Sequence, residues 1–127
     1  MTATVRTDKE QKSIQQLWQD YKSGGVEALS EIKIALTAKI MDNPQAAALV
    51  ASQIIGDSPA DSDSEKMAID IFKRAAACVQ HKNPMTLVNL FHGCSERMPQ
   101  KAERVKAETC AFLGQVSRAT PERKFIN

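Results

Sequence analysis

Apolar side chains recur along this chain at three- and four-residue intervals, and no stretch of useful length alternates apolar with polar positions. That periodicity belongs to amphipathic helices rather than to half-buried strands. Ile14, Leu17, Trp18 and Tyr21 fall at i, i+3, i+4 and i+7 and predict a first helix. A capping box of Thr7 with Glu10 would open it, and Gly24-Gly25 would stop it. A second helix is predicted from about Val26 to Met41. Val26, Leu29, Ile32, Leu36 and Ile40 make its main stripe, and Ile34 and Met41 broaden the stripe to a second face.

Asp42-Asn43-Pro44 should end that helix, because a residue before proline avoids helical dihedral angles. Asn43 can then cap a third helix with Pro44 in its first position. This Ala-rich segment runs from Pro44 to Ile55, is expected to be buried, and meets a suitable stop at Gly56. Residues 56–63 read as the clearest loop, and Ser62 with Glu65 forms a second capping box. The fourth helix is predicted to reach about His81, with Met67, Ile71, Ala75 and Cys78 on one face and Ala68, Phe72 and Val79 beside them.

Asn83-Pro84 repeats the cap-plus-proline device and opens a fifth helix striped by Leu87, Leu90, Phe91, Cys94 and Met98. Gly93 can end or kink it, and Pro99 forces a break. The sixth helix is placed at roughly Gln100 to Ser117, with Ala102, Val105, Thr109, Phe112 and Val116 inward. The expected fold is therefore all-α: a compact single domain of about six helices, orthogonal or bundle-like, over residues 8–118, with flexible tails at 1–7 and 119–127. The two Asn-Pro pairs stand forty residues apart, a spacing found in some helical-repeat families. Two units fall short of the number such a stack needs, so the pairs read as tight connectors.

Composition agrees with the pattern. In 127 residues, 43% are hydrophobic and only 5% aromatic, and Ala, Leu and Met lose little side-chain freedom in a helix. The formal net charge is +2, divided as −2 over residues 1–80 and +4 over 81–127, so the C-terminal third is mildly basic. Three cysteines cannot all pair within one chain, the N-terminus lacks the apolar run of a secretory signal, and no apolar stretch is long enough to span a membrane. These features lead us to expect a cytoplasmic protein with free thiols and no membrane association.

Candidate chemistry is sparse. Cys78 with His81, and His92 with Cys94, are close enough in sequence to suggest zinc ligands, but they fall on helical stripes rather than on tight knuckles. Cys78 and Cys110 sit among apolar neighbours and are expected to be buried and reduced; Cys94, flanked by His92 and Arg97, is the only cysteine with a setting that could activate a thiolate. Asp57, Asp61, Asp63 and Glu65 lack the glycine and terminal glutamate of a calcium loop and suit turns and helix starts. No glycine pattern cradles a phosphate. No enzyme, metal or cofactor is expected.

Two surfaces remain. Trp18 and Tyr21 are the only Trp and Tyr and share one face of a largely polar helix, which suits either docking onto the core or an anchor for a protein partner. Arg97, Lys101 and Arg104, at i, i+4 and i+7, with Lys106 nearby, would form one exposed basic face able to meet nucleic-acid phosphates. The segment Leu17-Trp18-Gln19-Asp20-Tyr21-Lys22-Ser23-Gly24-Gly25-Val26-Glu27-Ala28-Leu29 resembles the leading helix pair of flagellar-type bacterial sigma factors. The promoter-reading sequences that follow in that family are absent, and the resemblance implies no function here. The expected function is a non-catalytic interaction module, such as a regulator, inhibitor or adaptor, that presents helical surfaces to a protein partner. Homodimer formation is compatible with the wide apolar girth of the second to fourth helices, and a nucleic-acid-binding regulator is the alternative.

Overall fold

The computed structural model describes the backbone of residues 13–82 and 84–118 and the side chains of residues 13–80 and 85–115. Within them lie six helices: α1 Ile14–Lys22, α2 Ala28–Asp42, α3 Pro44–Asp57, α4 Asp63–Lys82, α5 Pro84–Ser95 and α6 Ala102–Arg118. No strand occurs among the described residues. The all-helical expectation is met. The Thr7–Glu10 capping box, the Asn83 cap and both predicted tails lie outside the described residues.

Helix α1 carries the predicted stripe from its first residue, Ile14. Ser13 adopts extended backbone angles, φ −63 and ψ 152, and its hydroxyl accepts the Gln16 amide at 3.0 Å. A serine in this conformation satisfies one of the orphan amides of a helix start, so the helix begins at Ile14. After Lys22 the chain turns through Gly24, whose φ of 109 is a conformation that a side chain would disfavour. Val26 therefore precedes α2 rather than belonging to it, and it is 70% exposed.

Both connections around α3 follow from local chemistry. Asn43 leaves the helical region and its Oδ1 accepts the Ala46 amide at 3.2 Å, while Pro44 occupies the first turn, where its missing N–H costs nothing. At the other end α3 continues through Gly56 to Asp57 instead of stopping at the glycine. A Cβ at position 56 would overlap the Arg97 carbonyl oxygen. Glycine thus serves close approach of the α5–α6 connection to the last turn of α3, not helix termination.

The α3–α4 hairpin is the centre of the molecule. Helices α2 and α5 each pack on both α3 and α4 and make little or no contact with one another; α1 packs on α2, and α6 packs on α4 and more lightly on α5. Ala47, Ala48, Ala51, Ile54 and Ile55 from α3 are buried, and the small residues Ala47, Ala48, Ala51 and Ser52 let α4 come close. From α4, Ile71, Phe72, Ala75 and Val79 fill the same core, and Phe72 meets Phe91 of α5 with ring centroids 5.8 Å apart. Ile32, Leu36 and Ile40 close it from α2. The predicted second face of α2 stays uncovered, with Ile34 70% and Met41 84% exposed.

Candidate functional site

The loop between α3 and α4 carries serines and aspartates, as turns do, and it ends in a capping arrangement with an unexpected centre. The Ser62 hydroxyl accepts the Glu65 amide at 3.3 Å, which is one half of the predicted capping box. The reciprocal half is displaced by one residue: Glu65 Oε1 accepts the Asp61 amide at 2.9 Å. Asp61 makes this possible by adopting the left-handed conformation, with φ 65, which Asp tolerates better than most residues. The Glu65 carboxylate is consequently turned inward, with its side chain only 1% exposed.

Buried carboxylates need partners, and Glu65 has two cations. Lys101 Nζ lies 2.7 Å from Oε2, and Arg104 Nη2 donates to Oε1 at 2.6 Å. Lys101 also donates to the carbonyl oxygens of Ile55, at 2.8 Å, and of Ser58. One ammonium group therefore ties the end of α3, the following loop, the start of α4 and the approach to α6. Ser58 and Ser64 complete the cluster: their hydroxyls lie 2.8 Å apart, and Ser58 donates to the Ile54 carbonyl at 2.7 Å. Burial alone would raise the Glu65 pKa, but Lys101, the Asp61 amide and Arg104 outweigh it and hold the carboxyl at about 2. On the outer side the charges continue, with Glu108 3.5 Å from both Arg104 Nε and Lys73 Nζ. The shallow groove there, between α4 and α6, is lined by both signs of charge, including Lys66, Asp70, Lys73 and Glu108. That mixture favours neither an anionic nor a cationic ligand.

This cluster corrects the predicted basic face. Arg97 precedes α6, on the connection that Pro99 breaks, and donates to the Gly93 carbonyl at 3.0 Å. The side chain of Lys101 is only 18% exposed. Arg104 is half-exposed but bound to Glu65 and Glu108, and Arg97 and Lys106 are exposed without an ion pair to Glu65. The four residues do not form one open helical face, and two of them neutralise a buried acid. Their combined replacement would strip a buried carboxylate of both its cations and so cost stability.

The thiols are corrected as well. Cys110 is exposed and Cys78 half-buried, whereas Cys94, which lies on the predicted stripe of α5 and is the one thiol with a sequence flank that could activate it, is fully buried. Its sulfur faces the Ala48 carbonyl at 3.8 Å, and burial pushes the thiol pKa up, away from an activated thiolate. His92 is exposed while Cys94 points inward, so the pair does not converge; the His81 side chain lies outside the described residues. Among the described residues, no three His, Cys, Asp or Glu side chains are grouped to hold a metal ion.

Trp18 is 7% exposed and belongs to the core, stacked on Tyr21 with centroids 5.6 Å apart. Tyr21 is half-buried against that core. Both residues dock α1, and only part of Tyr21 remains open to a partner. Lys22 Nζ sits over the Trp18 ring, 5.5 Å from its centroid, while the buried Trp18 Nε1 lacks a hydrogen-bond partner among the described residues.

One surface was not singled out from the sequence. Ser30, Ile34, Thr37, Ala38 and Met41 are all exposed and lie together on the outer side of α2 at spacings of three, four and seven residues. None is charged. Exposed Glu27, Glu31 and Asp42 lie at the start and along one edge of this strip, and exposed Lys33 lies along the other. Its signal was present in the sequence as the second apolar face of α2, but no rule internal to the sequence says whether such a face is covered.

The fold and surfaces define a compact all-helical domain in which no helix among the described residues is long and apolar enough to cross a membrane. No protein-family model matches the chain, and no curated protein or solved structure matches it either. The local likeness at residues 17–29 to sigma-factor helices therefore gains no support.

Proposed function

We propose that this chain is a non-catalytic protein-interaction module that receives an amphipathic helix of a protein partner along the outer side of α2. The observation that carries this reading is the uncharged strip of Ser30, Ile34, Thr37, Ala38 and Met41, with Ile34 70% and Met41 84% exposed in register. Single exposed apolar residues are ordinary on protein surfaces; two large ones a heptad apart, with small residues between them, have the form of a helix-docking seam. Covering each would contribute roughly 1.5–3 kcal/mol. The acidic edge formed by Glu27, Glu31 and Asp42 suits a partner helix with basic residues beside its apolar stripe. The nucleic-acid alternative has less behind it, because Lys101 and Arg104 are engaged by Glu65.

Site-specific photo-crosslinking tests this reading. A crosslinking side chain at Thr37, on the seam, should trap one protein in the cells that make this chain, and Met41→Glu should abolish the adduct. The same group at Lys66, on α4, should not trap that protein. An adduct of twice the chain's own mass would replace the partner with a second copy. Equal trapping from both positions, or none from Thr37, would overturn the reading.

A further inference from the structure

Helix α6 is attached differently from the other long helices. Among the described residues, its apolar contribution to the contiguous core is Val105, with Ala102 packed against the edge; Leu113 is buried and Phe112 half-buried apart from that cluster. Thr109 is also fully buried, and its hydroxyl has no hydrogen-bond partner among the described residues. Much of the remaining surface of α6 is open: Ala107, Cys110 and Ala111 are exposed. Against this thin apolar seam stands the dense polar attachment at its N-terminal end, where Lys101 and Arg104 hold Glu65 at 2.7 and 2.6 Å and Lys101 reaches two further carbonyl groups.

The side of α4 beneath α6 is apolar. Ile69 and Ala76 follow Glu65 at four and eleven residues, which places them on its side of the helix, and both are buried, whereas Phe72 turns toward Phe91 of α5. Lys73 of α4 meets Glu108 of α6 at 3.5 Å, confirming which side α6 occupies. We propose that α6 is a latched lid: it opens from α1–α5 as a unit, the Glu65–Lys101–Arg104 cluster is the latch, and opening uncovers Ile69 and Ala76 on α4. Helices that share the α3–α4 core cannot leave singly without dismantling it, whereas α6 can leave by breaking the latch and releasing a few apolar contacts. Cooperative units of this kind commonly follow such divisions of contact.

Native-state amide exchange of the full chain, followed by mass spectrometry over a series of sub-denaturing urea concentrations, tests the inference. The α6 amides of the unaltered chain should exchange faster than those in the middle of α3 and α4, with a weaker dependence on urea. Lys101→Met should speed exchange in α6 by about tenfold or more while leaving α3 and α4 within about twofold. Arg104→Ala, which removes a half-exposed partner, should act in the same direction by a smaller factor. If α6 exchanges in step with α3 and α4 and with the same urea dependence, the helix opens only with the whole domain and the inference falls. That series on the unaltered chain decides the matter even if Lys101→Met does not fold.

Discussion

The α3–α4 hairpin and α6 show two ways of holding a helix in one small domain. Along the middle of the hairpin, Ala47, Ala48, Ala51, Ile54 and Ile55 face Ile71, Phe72 and Ala75, all at or near full burial, and no charged side chain lies among them. In α6, Val105 and Leu113 do that work with a buried threonine whose hydroxyl is unpartnered, and a three-residue charge cluster does the rest. Apolar packing is distributed and non-directional, so it tolerates partial loss. A buried carboxylate with two cations is local and all-or-none, because removing one partner leaves an uncompensated charge.

The largest effect should come from the hairpin. Phe72→Ala removes a fully buried ring that contacts Phe91 and should cost roughly 3–5 kcal/mol of global stability, read as a lower urea midpoint. A loss this large confined to α6, with α3 and α4 still protected, would break the comparison by showing that the hairpin core does not depend on its centre.

Acid should act on the other region. Glu65 has a folded pKa of about 2 against an ordinary value of 4.5. A depressed carboxylate pKa contributes stability that is fully present above about pH 4.5 and is lost as pH falls through about 2. The full contribution is about 3 kcal/mol, from a shift of two to three units at 1.36 kcal/mol each. Urea unfolding at pH 7, 4 and 2.5 should show this slope, and Glu65→Gln should flatten it. An unchanged acid slope in Glu65→Gln would assign the loss to other carboxylates.

A smaller effect sharpens the same contrast. Thr109→Val replaces a buried, unpartnered hydroxyl with a methyl group of similar shape and should stabilise the attachment of α6 by about 1 kcal/mol. Slower exchange of α6 amides, with little change in α3, is the expected readout. Destabilisation would mean that the hydroxyl has a partner in solution.

The two regions also differ in how far they could be read from the sequence. Helices α2 to α4 were legible because their stripes repeat cleanly and Asn43-Pro44 supplies a cap, a proline and a corner in adjacent positions. The polar cluster was not, because its decisive contacts join residues 39 positions apart, beyond any local pattern. Glu65 was recognised as a capping residue, but nothing nearby announced that it would turn inward. The basic face failed for a related reason: Arg97, Lys101 and Arg104 share a face only if one helix runs through all three, and Pro99 prevents that. Cys110 was misplaced because five residues from Val105 is 140° around a helix, away from the buried side. Whether Ile34 and Met41 were covered depended on where α3 and α4 lay, which periodicity does not encode.

The most direct test of a charge latch beside an apolar core is a double-mutant cycle on Glu65→Gln and Lys101→Met, read in the opening free energy of α6 amides at pH 7. The account predicts strong coupling, about 1–3 kcal/mol, because each single change already breaks the same interaction. Effects that simply add, to within about 0.5 kcal/mol, would show that the two side chains act independently and would contradict it.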